Sequence, residues 1–171
     1  MGLISQLEYE GFSRADATYG TDAQNADWNQ QAVKKAASYL RSGAFSRQGL
    51  IDQLEYEEFT RDQAIYGTDA QNADWSQQAV KKGASYLRSG AFSRQGLIDQ
   101  LEYEGFSRAD ATYGTDAQNA DWNEQAVKKA KSYLRTFPDF TREELVSQLK
   151  YEGFSSSEAE YGAANSYDLG Y

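Results

Sequence analysis

The groups in this chain with the chemistry to act as acids or bases are carboxylates, and their spacing points away from catalysis. Glu8 and Glu10, like Glu55 and Glu57, stand two apart in segments of helical periodicity, so they project in different directions and form no acid and base pair. They read as a solvated face near a helix C-terminus, where the dipole disfavours negative charge, and cations of the Lys34, Lys35 or Arg14 kind are expected beside them. The segment TDAQNADW brings Asp22, Asn25 and Asp27 close together, which are oxygen ligands suited to calcium. It lacks the alternating ligands, central Gly and distal Glu of a calcium loop, and Asp27 is better explained as a helix cap. The chain has no Cys and no His, which excludes thiol nucleophiles, disulfides, thiolate or imidazole metal sites and every triad built on an imidazole base. No enzyme, cofactor or metal is expected.

The elements around these groups follow from composition. Lys and Arg number 17 against 26 Asp and Glu, giving a net charge of -9 and a pI near 4.5, which opposes nucleic acid or an anionic membrane as partner. A mean hydropathy of -0.79 leaves little aliphatic material for one large core in 171 residues, so small cores are expected, with aromatics taking over: 13 Tyr, 8 Phe and 3 Trp. No apolar run is long enough for a membrane span, and Met1 leads into a polar amphipathic segment in place of a signal peptide, so the chain reads as soluble.

Self-comparison gives the architecture. Trp28, Trp75 and Trp122 are 47 residues apart, as are Tyr9, Tyr56 and Tyr103. Residues 2–48 and 49–95 differ at eight positions, so 39 of 47 are identical. A diverged copy of the later half runs from Phe140 to about Ala164, offset by one residue in TFPDF, at the end where repeat arrays carry an atypical cap. The expected fold is all-α: a tandem array of ~47-residue three-helix units, each containing an extended helix-turn-helix, with no sheet. The expected divisions are an N-terminal half-unit over 1–25 and repeats over 26–72, 73–119 and 120–171.

Start signals recur in each unit. Helix A opens at Asp27, Asp74 or Asp121, with Gln30, Gln77 or Glu124 three residues on, as in a capping box. Trp28, Ala32, Ala36, Tyr39 and Leu40 then share one face, and Gly43 supplies the stop. Helix B opens at Ser46, Ser93 or Thr141 and buries Leu50, Ile51 and Leu54; helix C opens at Thr60, Ser107 or Ser155, and at Ser13 in the half-unit. Gly20 and its equivalents interrupt helix C before Asn25 and Asp27 open the next helix A. The structural core is expected to comprise Trp28, Trp75 and Trp122 with Leu40, Leu50, Leu54, Leu87, Leu97, Leu101 and Leu134. Helices B and C have the size of a DNA-binding helix-turn-helix, but helix C carries Asp16, Asp22 and a lone Arg14, so structural use is expected.

The chain opens within helix B, without a helix A before it, as an excised or engineered segment of a longer protein would. That leading B–C pair either packs onto residues 28–42 or borrows a helix A from a second chain, which would give a homo-oligomer. Tyr9, Tyr19 and Tyr39 recur with every period, as a ladder of amphipathic rings or as packed rings with wet hydroxyls, and Tyr9, Tyr56 and Tyr103 with Tyr39, Tyr86 and Tyr133 are the candidate partner-binding residues. A weak repeated site gains by avidity against a repetitive or extended partner.

Over residues 26–69 the DWN start, the AVKKAxSYL helix, FSRQGLIDQLEYEGF and the boxed helix with its YG resemble the Ltp-type repeat of host cell surface-exposed lipoproteins, and the resemblance spans essentially the whole chain. It implies small helical units displayed outside the membrane of Gram-positive bacteria or encoded on their prophages. Phage-borne members act in superinfection exclusion, blocking entry of phage DNA by engaging a tape-measure protein, so the expected partner is a protein, a phage injection component in the concrete version, and not nucleic acid. The rival reading is a spacer, adhesin stalk or engineered array in which repetition supplies length. The lipid-bearing Cys of the family is missing here, so membrane attachment would need an anchor outside this chain.

Overall fold

A computed structural model describes residues 2–167, and among them there are eleven helices and no strand. Helices A, B and C alternate through the chain, as the spacing of the start signals requires. The half-unit supplies α1 (Leu3–Tyr9) and α2 (Arg14–Asp22); the first full unit supplies α3 (Trp28–Ser42), α4 (Arg47–Tyr56) and α5 (Arg61–Asp69). The second supplies α6 (Trp75–Ser89), α7 (Arg94–Tyr103) and α8 (Arg108–Asp116), and the third α9 (Trp122–Thr136), α10 (Arg142–Tyr151) and α11 (Ser156–Ala164). The chain divides into two compact units, Met1–Asp74 and Trp75–Tyr171.

Side-chain oxygens begin the helices. Asp27, Ser46, Thr60, Ser93, Ser107, Asp121, Thr141 and Ser155 each accept a hydrogen bond from a backbone N–H of the first turn, and Asp74 immediately precedes α6. The reciprocal half of the capping box forms at Thr60 with Gln63, Thr141 with Glu144 and Ser155 with Glu158. At Ser13 and Ser107 the third residue is Asp, one methylene too short to reach back to the cap N–H. Its carboxylate takes the serine hydroxyl instead, at 2.6 Å in both. The boxes expected at α3 and α9 are half-formed: Asp27 and Asp121 accept, and no box closes. Gly43 ends α3 with φ -153, an extended conformation any residue adopts, and a Cβ there would lie 3.3 Å from the Phe45 ring.

Within each full unit helix A packs chiefly on helix C, and helix B closes the third side. The buried side chains are Leu50, Ile51 and Leu54 with Ala32, Ala36 and Ala64 in the first, and Leu97, Ile98, Leu101, Phe106, Ala79 and Ala111 in the second. The third buries Leu134, Leu145, Leu149 and Phe154 against four alanines. Leu40, Leu87 and the three tryptophans are half-buried, and Trp122 packs against the core of the second unit.

The small residues set how closely A and C approach. Gly67, Gly114 and Gly162 lie inside helix C, and a Cβ on any of them would stand 2.6–2.9 Å from the backbone and Cβ of Ala32, Ala79 or Ala126. The expectation that these glycines interrupt helix C is therefore corrected: the helix runs through them, and they are glycine because another backbone passes at that point.

Candidate functional site

The most repeated polar cluster joins helix A to the end of helix B. In the first unit the Tyr39 hydroxyl donates to Glu57, Gln53 Nε2 donates to the Tyr39 oxygen at 3.2 Å, and Lys35 Nζ lies 3.0 Å from the other Glu57 oxygen. Lys35 also sits over the Tyr39 ring, 5.4 Å from its centroid, while the Phe45 ring meets that ring edge-on at 5.5 Å. Tyr86, Gln100, Glu104 and Lys82 repeat the arrangement, as do Tyr133, Gln148, Glu152 and Lys129. The cations expected beside the helix-end glutamates are thus in place, and Arg14, Arg61 and Arg108 reach Glu8, Glu55 and Glu102 in the same way.

These partners move the titrations. Glu57 is held down at about 2, first by the Tyr39 hydroxyl and then by Lys35, against the opposing effect of burial. For Glu104 and Glu152 burial is the largest influence and pushes upward, but the tyrosine hydroxyl and lysine together outweigh it and both lie below the ordinary range. Burial, and then the bond to the carboxylate, raises Tyr39, Tyr86 and Tyr133. A second tie is bidentate: Arg47 and Arg94, at the start of helix B, fork onto Asp69 and Asp116 at the end of helix C at 2.7–2.8 Å, and hold both aspartates low.

The candidate tyrosines therefore fall into two environments. Tyr39, Tyr86 and Tyr133 are half-buried with their hydroxyls committed inside the unit. Tyr9, Tyr56 and Tyr103 are 82, 81 and 88% exposed at the last turn of helix B, and Tyr151 holds the same register in the third unit. Period alone does not separate the sets. The separating signal is the Glu eighteen residues after Tyr39 and Tyr86, and nineteen after Tyr133, which each inward tyrosine meets across the A–B turn.

Among the described residues no group of three or more carboxylates is placed to hold a metal ion. Asp27 accepts from the Gln30 N–H, as a cap does. No helix among them is long and apolar enough to cross a membrane.

An all-α chain of near-identical three-helix repeats, each tied by a Tyr–Glu–Lys cluster, is a tandem repeat protein by class. The family described as host cell surface-exposed lipoprotein, Ltp type, matches it three times, over residues 27–70, 74–117 and 121–165. The chain belongs to that family, and each match begins at a helix A cap and ends just past helix C. Neither the curated proteins nor the solved structures contain a match.

Proposed function

We propose that this chain is a non-enzymatic protein-binding array of the cell surface, which holds a protein partner through the exposed tyrosines that close each helix B. The observation that carries this reading is the recurrence of Tyr9, Tyr56, Tyr103 and Tyr151, four large rings more than four-fifths exposed at one register, while Tyr39, Tyr86 and Tyr133 turn their hydroxyls into the units and the helix C tyrosines Tyr66, Tyr113 and Tyr161 are about half exposed. Tyr offers apolar area and a polar tip at low entropic cost, and is enriched at interfaces for that reason. The family's description as surface-exposed supports an extracellular setting. In the concrete version of this proposal the array occupies a phage injection component, of the tape-measure kind, and DNA entry fails.

The test is a phage challenge of a Gram-positive host displaying the chain on a supplied lipid anchor, with adsorption and DNA entry scored separately. Normal adsorption with blocked entry, relieved by Tyr→Ser at the four exposed positions in a chain that still folds, is the expected result. Unchanged entry over a broad phage panel would transfer the weight to a spacer role, for which the 39 of 47 identity of adjacent copies is the favouring observation.

A further inference from the structure

The chain as a whole is acidic, yet one concave place within the Trp75–Tyr171 unit is lined by five cations and, among the described residues, by no carboxylate. The pocket, of about 570 Å³, lies between residues 87–92, which carry the end of α6 into its turn, and one side of α9. Arg88 comes from the first wall, and Lys128, Lys129, Lys131 and Arg135 come from the second. Leu87 and Phe92, both half-buried, add an apolar lining. Lys128, Lys131 and Arg135 stand three and four residues apart, so they share the side of α9 opposite to Ala126, Ala130 and Leu134, which are buried in the core.

Lys129 is already committed, to Glu152 at 2.9 Å and to the Tyr133 ring. Among the described residues no carboxylate pairs with the other four cations, whereas Arg94 and Arg108 of the same unit each have one. The helix dipole accounts for Arg88 and Arg135, each in the last turn of its helix. It does not account for Lys131, which lies more than a turn from either end of α9, is half-buried, and stands where the first two units have Ala37 and Ala84. The added cation falls beside two others of the same sign at helical spacing, an arrangement that disfavours the empty helix and that a bound anion relieves.

We infer that this pocket binds a phosphate-bearing anion, presented as a soluble phosphate compound or as the headgroup of an anionic lipid. The guanidinium groups of Arg88 and Arg135 match phosphate oxygens as bidentate donors, and Lys128 and Lys131 supply compact charges from the α9 wall. Four uncommitted cations exceed what one carboxylate neutralises, whereas a phosphate group offers up to two charges and three acceptor oxygens. A pocket of this volume takes a compact group, and the acidic remainder of the chain repels an extended polyanion such as nucleic acid. Leu87 and Phe92 would meet the carbon skeleton beside the phosphate. None of the exposed tyrosines lines the pocket, so this site and the tyrosine surface stand or fall separately.

The test uses the whole chain. Isothermal titration with inorganic tripolyphosphate probes the soluble source, and co-sedimentation with vesicles of phosphatidylglycerol and phosphatidylcholine in equal parts probes the lipid one. Saturable binding of at least one probe is expected, weakened about tenfold or more by Lys131→Ala with Arg88→Gln. Lys34→Gln with Lys150→Gln removes the same charge from exposed places outside the pocket and is expected to leave binding unchanged. The pocket variant keeps its fold, because alanine stands at 37 and 84 in the other units and Arg88 is exposed, so its circular dichroism is unaltered and its urea midpoint does not fall. Vesicle binding that the pocket variant weakens assigns the lipid headgroup; tripolyphosphate binding that it weakens, without vesicle binding, assigns the soluble compound. Absence of saturable binding of either probe up to about 1 mM would overturn the inference. Equal binding by the pocket variant, or an equal loss in the control variant, would do the same. An oligoglutamate peptide that binds the pocket more tightly than either probe would assign it to an acidic protein segment and also overturn it.

Discussion

Gly114 of α8 lies so close to Ala79 of α6 that a Cβ on the glycine would stand 2.6 Å from the alanine carbonyl carbon and 2.7 Å from its Cβ. One turn further along α6, Gly83 replaces the alanine found at 36 and 130, and a Cβ there would meet mainly the end of the Gln118 side chain, at 3.2 Å. The two glycines therefore differ in kind. Gly114→Ala must push two backbones apart and is expected to cost about 1–3 kcal/mol in spite of its better helix propensity. Gly83→Ala is expected to gain about 0.5–1 kcal/mol, since buried Ala36 coexists with the same glutamine contact from Gln71. Urea denaturation of both variants measures this, and shifts of equal sign would contradict the packing described.

Tyr86 holds α6 to the end of α7 through Glu104, and its hydroxyl also accepts from Gln100. Tyr86→Phe leaves a half-buried carboxylate short of a donor, and the expected loss is about 1.5–3 kcal/mol. Tyr103→Phe, on an exposed ring, is expected to stay within about 0.5 kcal/mol of the parent. Ultraviolet titration supplies an independent readout: Tyr39, Tyr86 and Tyr133 ionise above the ordinary tyrosine range, and Tyr86→Phe removes one late-ionising ring.

The contrast between these two tyrosines shows what was legible in the sequence. The period, the serine and threonine caps and the leucine stripe of helix B are local signals, and the helices begin where those signals stand. The family follows from the same residues. Gly67, Gly114 and Gly162 look like breaks in the sequence because a glycine near a helix end has the same local appearance whether it stops the helix or admits a neighbour. Only the passage of Ala32, Ala79 or Ala126 against them distinguishes the cases. The tyrosines are similar: Tyr39 and Tyr56 recur with one period, and the partner that draws Tyr39 inward is Glu57, on another helix.

Acid should weaken the fold. Glu57, Glu104, Glu152, Asp69 and Asp116 all lie below their ordinary values in the folded chain, so the unfolded chain binds more protons in the acid range. Their stabilisation is complete above the unfolded carboxylate values of about 4–4.5 and is lost as pH falls through the folded ones, which reach about 2 at Glu57. The urea midpoint is expected to be flat from pH 7 to 5 and to drop steadily below about 4.5. Glu57→Gln should flatten that drop in the Met1–Asp74 unit, and a midpoint that rises on acidification would refute the assignment.

The B–C turn takes one residue into the left-handed region in each unit, and the sequence fills it unequally. Gly11, Gly105 and Gly153 occupy it with φ of 98, 85 and 86, while the first full unit places Glu58 there at φ 69. An L side chain in that conformation costs about 1–2 kcal/mol. Glu58 is tolerated because its surroundings differ: its carboxylate accepts the Ser5 hydroxyl at 2.7 Å and lies against Gly2. At Gly153 a Cβ would stand 2.9 Å from the Ser93 hydroxyl, which is itself bonded to the Glu152 carbonyl at 2.6 Å. Glu58→Gly is therefore expected to stabilise the Met1–Asp74 unit by about 0.5–1 kcal/mol, the relieved strain exceeding an exposed hydrogen bond. Gly153→Ala is expected to destabilise the Trp75–Tyr171 unit by more than that, since it adds both the strained φ and the contact with Ser93. Thermal denaturation of each variant, with a shift of about 2–4 °C per kcal/mol for a chain of this length, reads the two signs directly. A fall in Tm for Glu58→Gly would mean that the Ser5–Glu58 bond contributes more to holding α1 than the turn strain removes.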